Sequence, residues 1–577
     1  MDGSPHKLTK PRFVLTDRPK EPFQKRLAML KQERDYHLPD WKDISTFIRP
    51  RRGLYSREEQ RQRRSQNAML QNEALIASRT LGSGMMSGIT SPARPWFRLT
   101  TPDPSLSEFS SVKLWLHEVT RRLQMVLASS NFYNSRQTVY PDVGDFGNAV
   151  VIIDDDYEDI VRFTVIPPGQ YCIATDERDR VDTFYREFSM TVLQVVRKFG
   201  LENCSSYVRD RYDRGNYDDL VDVVHVIEPN LGQVRGVKGP MGMPYVAVYY
   251  EANTVADKLL SFKGYPDLRL AAPRWDVQAG EVYGTGCGFV ALPDAKGVQV
   301  LERRKAQAID KLVTPPVQSP ALGASSVNHL PGGTTVLPGN VAAGAAAIRP
   351  IYEQNPSGIT ALRGEIDAHV DRINRAYYAD LFLMLAQSDR RQITAREVEE
   401  RHEEKLLALG PVLERLHNED LNIVINAAFN RLSDLSKPEW AAGRPGIIPP
   451  PPKELEGVEI KVEYVSILAQ AQRAVTVGSI ERFAGFIGNL SGVFPDVRHK
   501  FDAQQAADEY GDALGVPPAI VRSDDDVQKI MDQEAQAAQQ AQAMAAAPDM
   551  AQSAKVLSEA RTTDGGSILD QVLGLNQ

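Results

Sequence analysis

The sequence predicts an α+β fold that is mainly α-helical. At 577 residues, the chain is several times longer than a typical domain of ~100 to 200 residues, so about two to four structural units are expected. Apolar residues recur at helical spacing in most of the chain, whereas short β-rich runs are confined to about 149–262. A composition of 42% hydrophobic and 25% charged residues is typical of a folded globular protein.

The region before residue 130 is predicted to be largely helical. Helices are expected within 20–90, and an amphipathic helix from about Ser107 to Ser129 follows the proline-rich segment 91–104. The apolar stripe of that helix is expected to face the core and consists of Val112, Trp115, Leu116, Val119, Leu123 and Leu127.

Residues from about 149 to 262 indicate a mostly antiparallel β domain. Short runs rich in β-branched and aromatic residues alternate there with turn-forming residues. The runs lie at 149–153, 160–166, 181–188, 221–228 and 245–251.

Two long helices are predicted in the middle of the chain. The first runs from about 291 to 313 and stops at Pro315-Pro316, and the second covers 358–386. Between them, 314–357 is rich in Gly, Pro, Ser and Ala, which favours loops and brief strands. The second helix carries a narrow apolar seam over four heptads, formed by Leu362, Ile366, Val370, Ile373, Tyr377 and Leu381.

A polar turn and another helix follow the second long helix. The turn is 387–393, and the sequence from Thr394 to Glu397 matches a capping box that opens a helix to about 432. Gly410-Pro411 is expected to kink this helix. Beyond a proline-rich boundary, the sequence predicts a strand near 458–466, helices within 468–490 and an Ala/Gln-rich stretch at 533–547.

Charge is unevenly distributed along the chain. The net charge is −8, yet residues 1–64 hold 17 Lys and Arg against 9 Asp and Glu. A protein that gripped DNA over a broad surface would be basic as a whole, so any DNA contact is expected to be local or loose. The Arg-rich run at 49–64 could contact phosphate, but a solvated helix face is the favoured interpretation.

The sequence predicts no catalytic residue, cofactor site or metal site. GTGCG at 284–288 lacks the spacing of a phosphate-binding loop and is interpreted as a tight turn, and His402-Glu403 lacks a second zinc ligand because residue 406 is Leu. The carboxylates of 154–159 could bind a hard cation, although a solvated hairpin turn is favoured.

The sequence also indicates in which cellular compartment the protein folds. The cysteines, Cys172, Cys204 and Cys287, lie far apart without a paired spacing, which favours a reducing compartment. No apolar segment near the N-terminus precedes a cleavage site, and no segment reaches the ~18 to 20 apolar residues of a membrane span. We therefore expect neither export nor membrane insertion.

Four stretches of the sequence resemble the head-to-tail connecting, or portal, proteins of short-tailed bacteriophages. They are 78–103, 146–156, 162–188 and 280–288, and the resemblance extends in order over about 20–490. It implies a portal fold assembled as a ring of twelve subunits, each with an α/β wing, a two-helix stem, a small clip with short strands and an α-helical crown.

The resemblance also implies how the chain divides. The wing would be 1–290, the stem helices 291–313 and 358–386, the clip 314–357, the kinked helix and return to the wing 394–464, and the crown with its Ala/Gln-rich tail 465–577. The apolar seam of the second stem helix would pack subunits together. The segment 387–393 would be the tunnel loop at the channel constriction, with Ser388, Asp389, Arg390, Arg391 and Gln392.

The implied function is that of a dodecameric ring at one capsid vertex. Double-stranded DNA would pass through it without sequence specificity, and its partners would be the terminase packaging motor, the tail adaptor, and the major capsid and scaffolding proteins. It would lie in the virion, and in the host cytoplasm during assembly, with no membrane contact. The alternatives are a ring-forming tail adaptor or other structural virion protein, and a metal-dependent nucleic-acid enzyme that uses the carboxylates of 154–159.

Overall fold

The computed structural model describes most of the chain between residues 19 and 538. The described ranges are 19–55, 69–103, 106, 109–156, 158–254, 258–278, 280–315, 317–318, 349–350, 356–387, 409–436, 448–455, 457–465, 481–491, 494, 500–503, 505–506, 510 and 527–538. The chain divides into two compact units, one of 1–97, 121–449 and 464–473 and the other of 98–120, 450–463 and 474–577. None of the described helices combines the length and the hydropathy needed to cross a membrane.

The first unit begins with α1 (Glu21–Asp35), α2 (Leu38–Phe47) and α3 (Glu73–Ile89). Proline stands in the first turn of α1 and of α2. Its missing N–H costs no hydrogen bond there, because N–H groups in the first turn have no partner within the helix. The helices predicted within 20–90 are confirmed over these ranges.

Strand β1 (Phe97–Thr100) leads into α4 (Ser110–Ser129), and α5 (Phe132–Phe146) follows directly. The apolar stripe predicted on α4 is buried along its length. Helix α5 was not predicted, because Pro141 and two aspartates interrupt its apolar residues. Every residue of α5 from 139 to 146 is nevertheless buried.

The β-rich region forms two antiparallel sheets. Strand β2 (Val150–Asp156) lies between β3 (Ile160–Ile166) and β9 (Leu270–Ala271). The larger sheet joins neighbours in chain order: β4 (Tyr171–Thr175), β5 (Val181–Thr191), β6 (Leu220–Pro229), β7 (Tyr245–Glu251) and β8 (Leu259–Tyr265). The predicted antiparallel β domain is confirmed, although the sequence did not reveal β4, β8 or β9.

Helices cover both faces of the larger sheet. Leu27 and Leu30 of α1 join one apolar cluster with residues of β4 to β8. The opposite cluster contains α6 (Val192–Phe199) and α7 (Ser206–Asp213), which lie between β5 and β6 in the chain. The sheet is therefore buried on both faces, and its strands show no simple alternation of apolar and polar residues.

A hairpin of two long helices follows the sheets. Helix α8 (Cys287–Val313) packs against α9 (Pro356–Ala376), and between them β10 (Val317–Gln318) pairs with β11 (Arg349–Pro350). Helix α8 begins four residues before the predicted start at 291 and holds Pro293 in its interior. Most of the predicted clip, 319–348, lies outside the described residues.

The prediction of one continuous helix over 358–386 is wrong at one point. Helix α9 ends at Ala376, and α10 (Ala379–Gln387) starts after a turn at Tyr377 and Tyr378. Tyr378 has φ +52°, in the left-handed region, where a regular right-handed helix cannot continue. The apolar spacing persists across this turn, so the pattern alone could not reveal it.

The next described segment begins at Leu409. It contains α11 (Gly410–Leu416), a π-helix (His417–Leu421) and α12 (Asn422–Ser436). Pro411 stands in the first turn of α11. The predicted tunnel loop, the capping box at Thr394 and the residues that decide the kink at Gly410-Pro411 lie outside the described residues. Within the described part of this helical segment, the regular α-helical geometry is interrupted by the π-helix between α11 and α12.

In the second unit, Arg98 of β1 donates a hydrogen bond to Glu463 of β12 (Lys461–Tyr464) at 2.7 Å. Helices α13 (481–491) and α14 (527–538) also belong to this unit. Tyr510 donates a hydrogen bond to Glu481 of α13 at 2.6 Å. The last residues of the predicted crown and tail, 539–577, lie outside the described residues.

The glycines of 284–288 are required by close backbone packing rather than by a tight turn. Thr285 forms a β-bridge with Asp276, and α8 begins at Cys287, so the interpretation of this motif as a turn is wrong. A Cβ atom on Gly288 would lie 2.1 Å from the carbonyl oxygen of Asp145. The start of α8 therefore lies directly against the end of α5.

Replacing Gly288 by alanine is expected to destabilise the protein by about 2 kcal/mol, because the new methyl group must displace backbone atoms. Gly364→Ala in α9 is the matched control: no atom lies within 4 Å of its added Cβ, and alanine in a helix stabilises by about 0.5 to 1 kcal/mol. Chemical denaturation of both variants measures the difference. Wild-type stability in Gly288→Ala would contradict the packing described here.

Candidate functional site at the base of the helical hairpin

A buried carboxylate joins the helical hairpin to the helices around it. Asp145, near the end of α5, is fully buried. Its Oδ2 accepts a hydrogen bond from Ser78 of α3 at 2.7 Å, and its Oδ1 accepts one from the Tyr377 hydroxyl at 2.8 Å. The turn between α9 and α10 is thus tied to both α3 and α5.

Two arginines neutralise the buried carboxylates of α5. Arg49 donates to Asp145 at 3.2 Å and lies 3.6 Å from Asp142. The Arg52 Nε lies 2.8 Å from both oxygens of Asp142. The favoured interpretation of the Arg-rich run as a solvated helix face is therefore wrong for Arg49 and Arg52, which follow α2 in a loop and bind inward.

Burial and charge act in opposite directions on this cluster. Burial raises the pKa of Asp145, and the Arg49 charge with the hydrogen bonds from Ser78 and Tyr377 opposes the rise. For Arg52, burial would lower the pKa, but the Asp142 carboxylate outweighs it and the pKa is raised. The guanidinium of Arg52 is therefore held in its charged form.

Close helix packing completes the base of the hairpin. Helix α8 meets α5 through the contact of Gly288 with the Asp145 backbone. Helix α10 meets α3 at Gly84, where an added Cβ would lie 2.2 Å from the ring of Phe382. The first arm of the hairpin is thus packed against α5, and the helix that follows the second arm is packed against α3.

The π-helix supplies a second set of buried ionic contacts. Asp420 forms an ion pair with Arg136 of α5, and both side chains are fully buried. Glu419 accepts from the Arg274 guanidinium at 2.7 Å and from its backbone N–H at 3.0 Å. Adjacent acidic residues thus bind two different arginines, and no local sequence pattern predicts these long-range pairs.

An ionic cluster links the two arms of the hairpin. Asp294 of α8 lies 2.6 Å from the Nδ1 of His369 and accepts from the Arg372 Nε at 2.8 Å, both on α9. Burial acts to raise the pKa of Asp294, but Arg372 and His369 outweigh it and the pKa is lowered. Asp294 is therefore ionised and pairs with the cationic side of α9.

The predicted seam divides into two groups. Ile366, Ile373, Tyr377 and Leu381 are buried within their own chain. Leu362 and Val370 remain partly exposed. The packing of subunits through the seam stays a prediction, and these two side chains are the ones available to another molecule.

The half of α8 farthest from the base exposes apolar side chains. Val300, Ile309 and Leu312 are 41 to 50% exposed, and Val313 is 72% exposed. Exposed basic and acidic residues, including Arg303, Arg304 and Asp310, lie among them. An apolar surface of this kind on a long helix is typical of contact with another protein.

The carboxylates of 154–159 form a hairpin turn, as favoured from the sequence. Strands β2 and β3 pair up to Asp156 and Ile160. The Asp156 side chain accepts from the backbone N–H groups of Glu158 and Asp159 at 2.7 and 3.1 Å, and Asp155 forms an ion pair with Arg269 at 2.7 Å. The Asp156 carboxylate is thus held by the backbone of the turn, and the Asp155 carboxylate by an arginine.

The described residues contain no group of three or more His, Cys, Asp or Glu side chains suited to a metal ion. Cys172, Cys204 and Cys287 are free and buried. Burial raises the pKa of Cys172 and of Cys204 to about 11, and raises that of Cys287 as well. The thiols are protonated at neutral pH and therefore poor nucleophiles.

Comparisons with known proteins point in one direction. A family model described as bacteriophage head to tail connecting protein matches residues 20–521. The portal protein of Salmonella phage epsilon15 is 40% identical over 552 residues, which is 95% of this chain and 97% of that protein. The probable portal protein of Bordetella phage BPP-1 is 40% identical over 547 residues, or 94% and 96% of the two chains.

His417 of the π-helix is expected to make stability depend on acidic pH. Its imidazole stacks on Tyr464 with ring centroids 3.8 Å apart, and burial lowers its pKa to about 4. The unfolded chain binds a proton near the ordinary pKa of about 6.5, so stability falls as pH drops through the window from about 6.5 to 4. His417→Phe, which keeps an aromatic ring, should remove roughly 1 to 3 kcal/mol of this loss.

Chemical denaturation between pH 7 and pH 4 measures the effect. The exposed His117 provides a control, since His117→Gln should keep the wild-type pH dependence. An unchanged pH dependence in His417→Phe would show that the stacked imidazole does not carry this effect.

Proposed function

Because this chain belongs to the bacteriophage head-to-tail connecting proteins, we propose that twelve copies assemble into a ring that forms the portal at one vertex of the capsid. Portal proteins are structural components of the virion at the junction of head and tail. The observation that carries the proposal is the hairpin of α8 and α9, which is fixed at its base by buried ionic contacts and exposes apolar side chains beyond it.

The partly exposed side chains of the hairpin support the closed ring. In a ring, each subunit presents one surface to the next and a different surface to the previous one, and closure leaves neither surface free. Leu362 and Val370 of α9 and the exposed apolar residues of α8 lie on different helices of one hairpin. They are the residues that neighbouring hairpins would bury.

The charge of the hairpin supports the passage of double-stranded DNA. Strong phosphate binding would hold DNA in place, because each neutralised phosphate adds to affinity. Helix α9 carries Glu365, Asp367 and Asp371 alongside Arg363 and Arg375, so its surface has both signs of charge. A channel lined by such helices would let DNA move in either direction.

The division of the chain into wing, stem, clip and crown is part of the proposal. Helices α8 and α9 with α10 would form the stem, and the loop from Ser388 to Gln392 would lie at the channel constriction. Arg390 and Arg391 in this loop would touch phosphates transiently.

The remaining roles concern partners. The ring would dock the terminase packaging motor during DNA entry and the tail adaptor afterwards, and it would contact the major capsid and scaffolding proteins while the head assembles in the host cytoplasm. The motor would supply ATP hydrolysis, so this chain contributes the channel and the docking surfaces.

Leu362→Glu is expected to abolish ring formation, because it would bury a carboxylate between neighbouring hairpins without a partner. Leu362→Met, which keeps an apolar side chain of similar volume, and Ala361→Glu, which adds the same charge to the adjacent exposed position, serve as controls. Sedimentation velocity and negative-stain images of the purified proteins give the result. If Leu362→Glu formed rings in normal yield, the seam could not lie in the subunit interface.

A further inference from the structure

An open groove lies in the first unit between α3, α5 and the loop that follows α2. Its volume is about 720 Å³. Arg51 and Arg79 lie at the groove, and Leu75, Met86 and Pro141 contribute apolar surface to it. The hairpin base and the proposed subunit seam make no use of these side chains.

The two arginines at this groove have no partner in the described part of the chain. Arg79 is exposed on α3, and Arg51 is exposed in the loop with φ +73°, a conformation that is unfavourable for a residue with a Cβ atom. Arg49, which also lines the groove, is by contrast bound to Asp145. The fold therefore fixes Arg49 inward and leaves Arg51 and Arg79 exposed at the groove.

The lining excludes several kinds of ligand. Among the described residues, the lining includes no Asp or Glu, although the whole chain has a net charge of −8, so the groove favours an anion. The part of the lining that the structure describes also lacks an aromatic residue, and proteins that bind single-stranded nucleic acid stack bases on aromatic rings. The aliphatic surface of Leu75, Met86 and Pro141 suits an aliphatic side chain instead.

We propose that this groove binds an acidic peptide segment of a different protein, with carboxylates on Arg51 and Arg79 and an aliphatic side chain against Leu75 and Met86. The argument for an acidic peptide is charge complementarity with Arg51 and Arg79. A segment of another copy is the alternative occupant, and a comparison of the monomer with the ring distinguishes the two. The inference does not depend on the ring, since the groove lies within one chain.

A fluorescein-labelled peptide of eight alternating Glu and Leu residues provides the probe, and fluorescence anisotropy with the purified full chain measures its binding. We expect Arg51→Gln/Arg79→Gln to weaken binding at least tenfold. Ser83→Trp, which keeps the charges but fills the groove, should weaken it as well. Arg235→Gln is the matched control, because Arg235 is exposed in the loop between β6 and β7.

Each alternative has its own result. A control peptide carries Gln in place of each Glu. The proposal is overturned if the Glu-Leu peptide does not bind, if the control peptide binds equally well, or if Arg51→Gln/Arg79→Gln binds the Glu-Leu peptide with wild-type affinity. Tighter binding of oligothymidine through the same arginines would assign the groove to nucleic acid. If the peptide binds the monomer but not the assembled ring, the groove is assigned to contact with a second copy. This result, or tighter binding of oligothymidine, would contradict the proposal that a separate acidic protein binds there.

Discussion

The buried carboxylate of Asp145 is the interaction on which the arrangement of the helical hairpin depends. A carboxylate without solvent is tolerated only where hydrogen bonds and an opposite charge replace water, and leaving such a charge unpaired costs about 3 to 5 kcal/mol. Ser78, Tyr377 and Arg49 supply those contacts from three separate parts of the chain. The backbone of the same residue lies against Gly288, so a single position of α5 fixes the first arm of the hairpin and the turn that follows the second.

Buried contacts at its base and ionic contacts between its arms accompany the exposed surface of the hairpin. The ionic contacts of Asp294 with His369 and Arg372 hold the two arms together above the base. Farther along α8, Ile309, Leu312 and Val313 are exposed and available to other molecules. In the proposed ring, the mixed charges on α9 would suit a surface past which DNA moves, and its partly exposed apolar residues would suit contact with identical neighbours.

The sequence predicted what depends on local pattern. Helical spacing located α4, α8 and α9, and short runs rich in β-branched and aromatic residues located most of the central strands. Helix α5 was missed because Asp142 and Asp145 are stabilised by arginines about 90 residues away, which no local pattern reveals. The break at Tyr378 was missed for a related reason, since apolar spacing continues across it. The seam could be predicted as apolar, but only the structure separates Ile373, buried in its own chain, from Leu362, which is partly exposed.

Electron cryomicroscopy of the purified full chain is the direct test of the proposed ring. We expect closed rings of twelve subunits in which α8 and α9 surround a central channel wide enough for double-stranded DNA, with Leu362 and Val370 at the contacts between subunits. A protein that remains monomeric at high concentration, or rings in which this hairpin lies away from the channel, would contradict it.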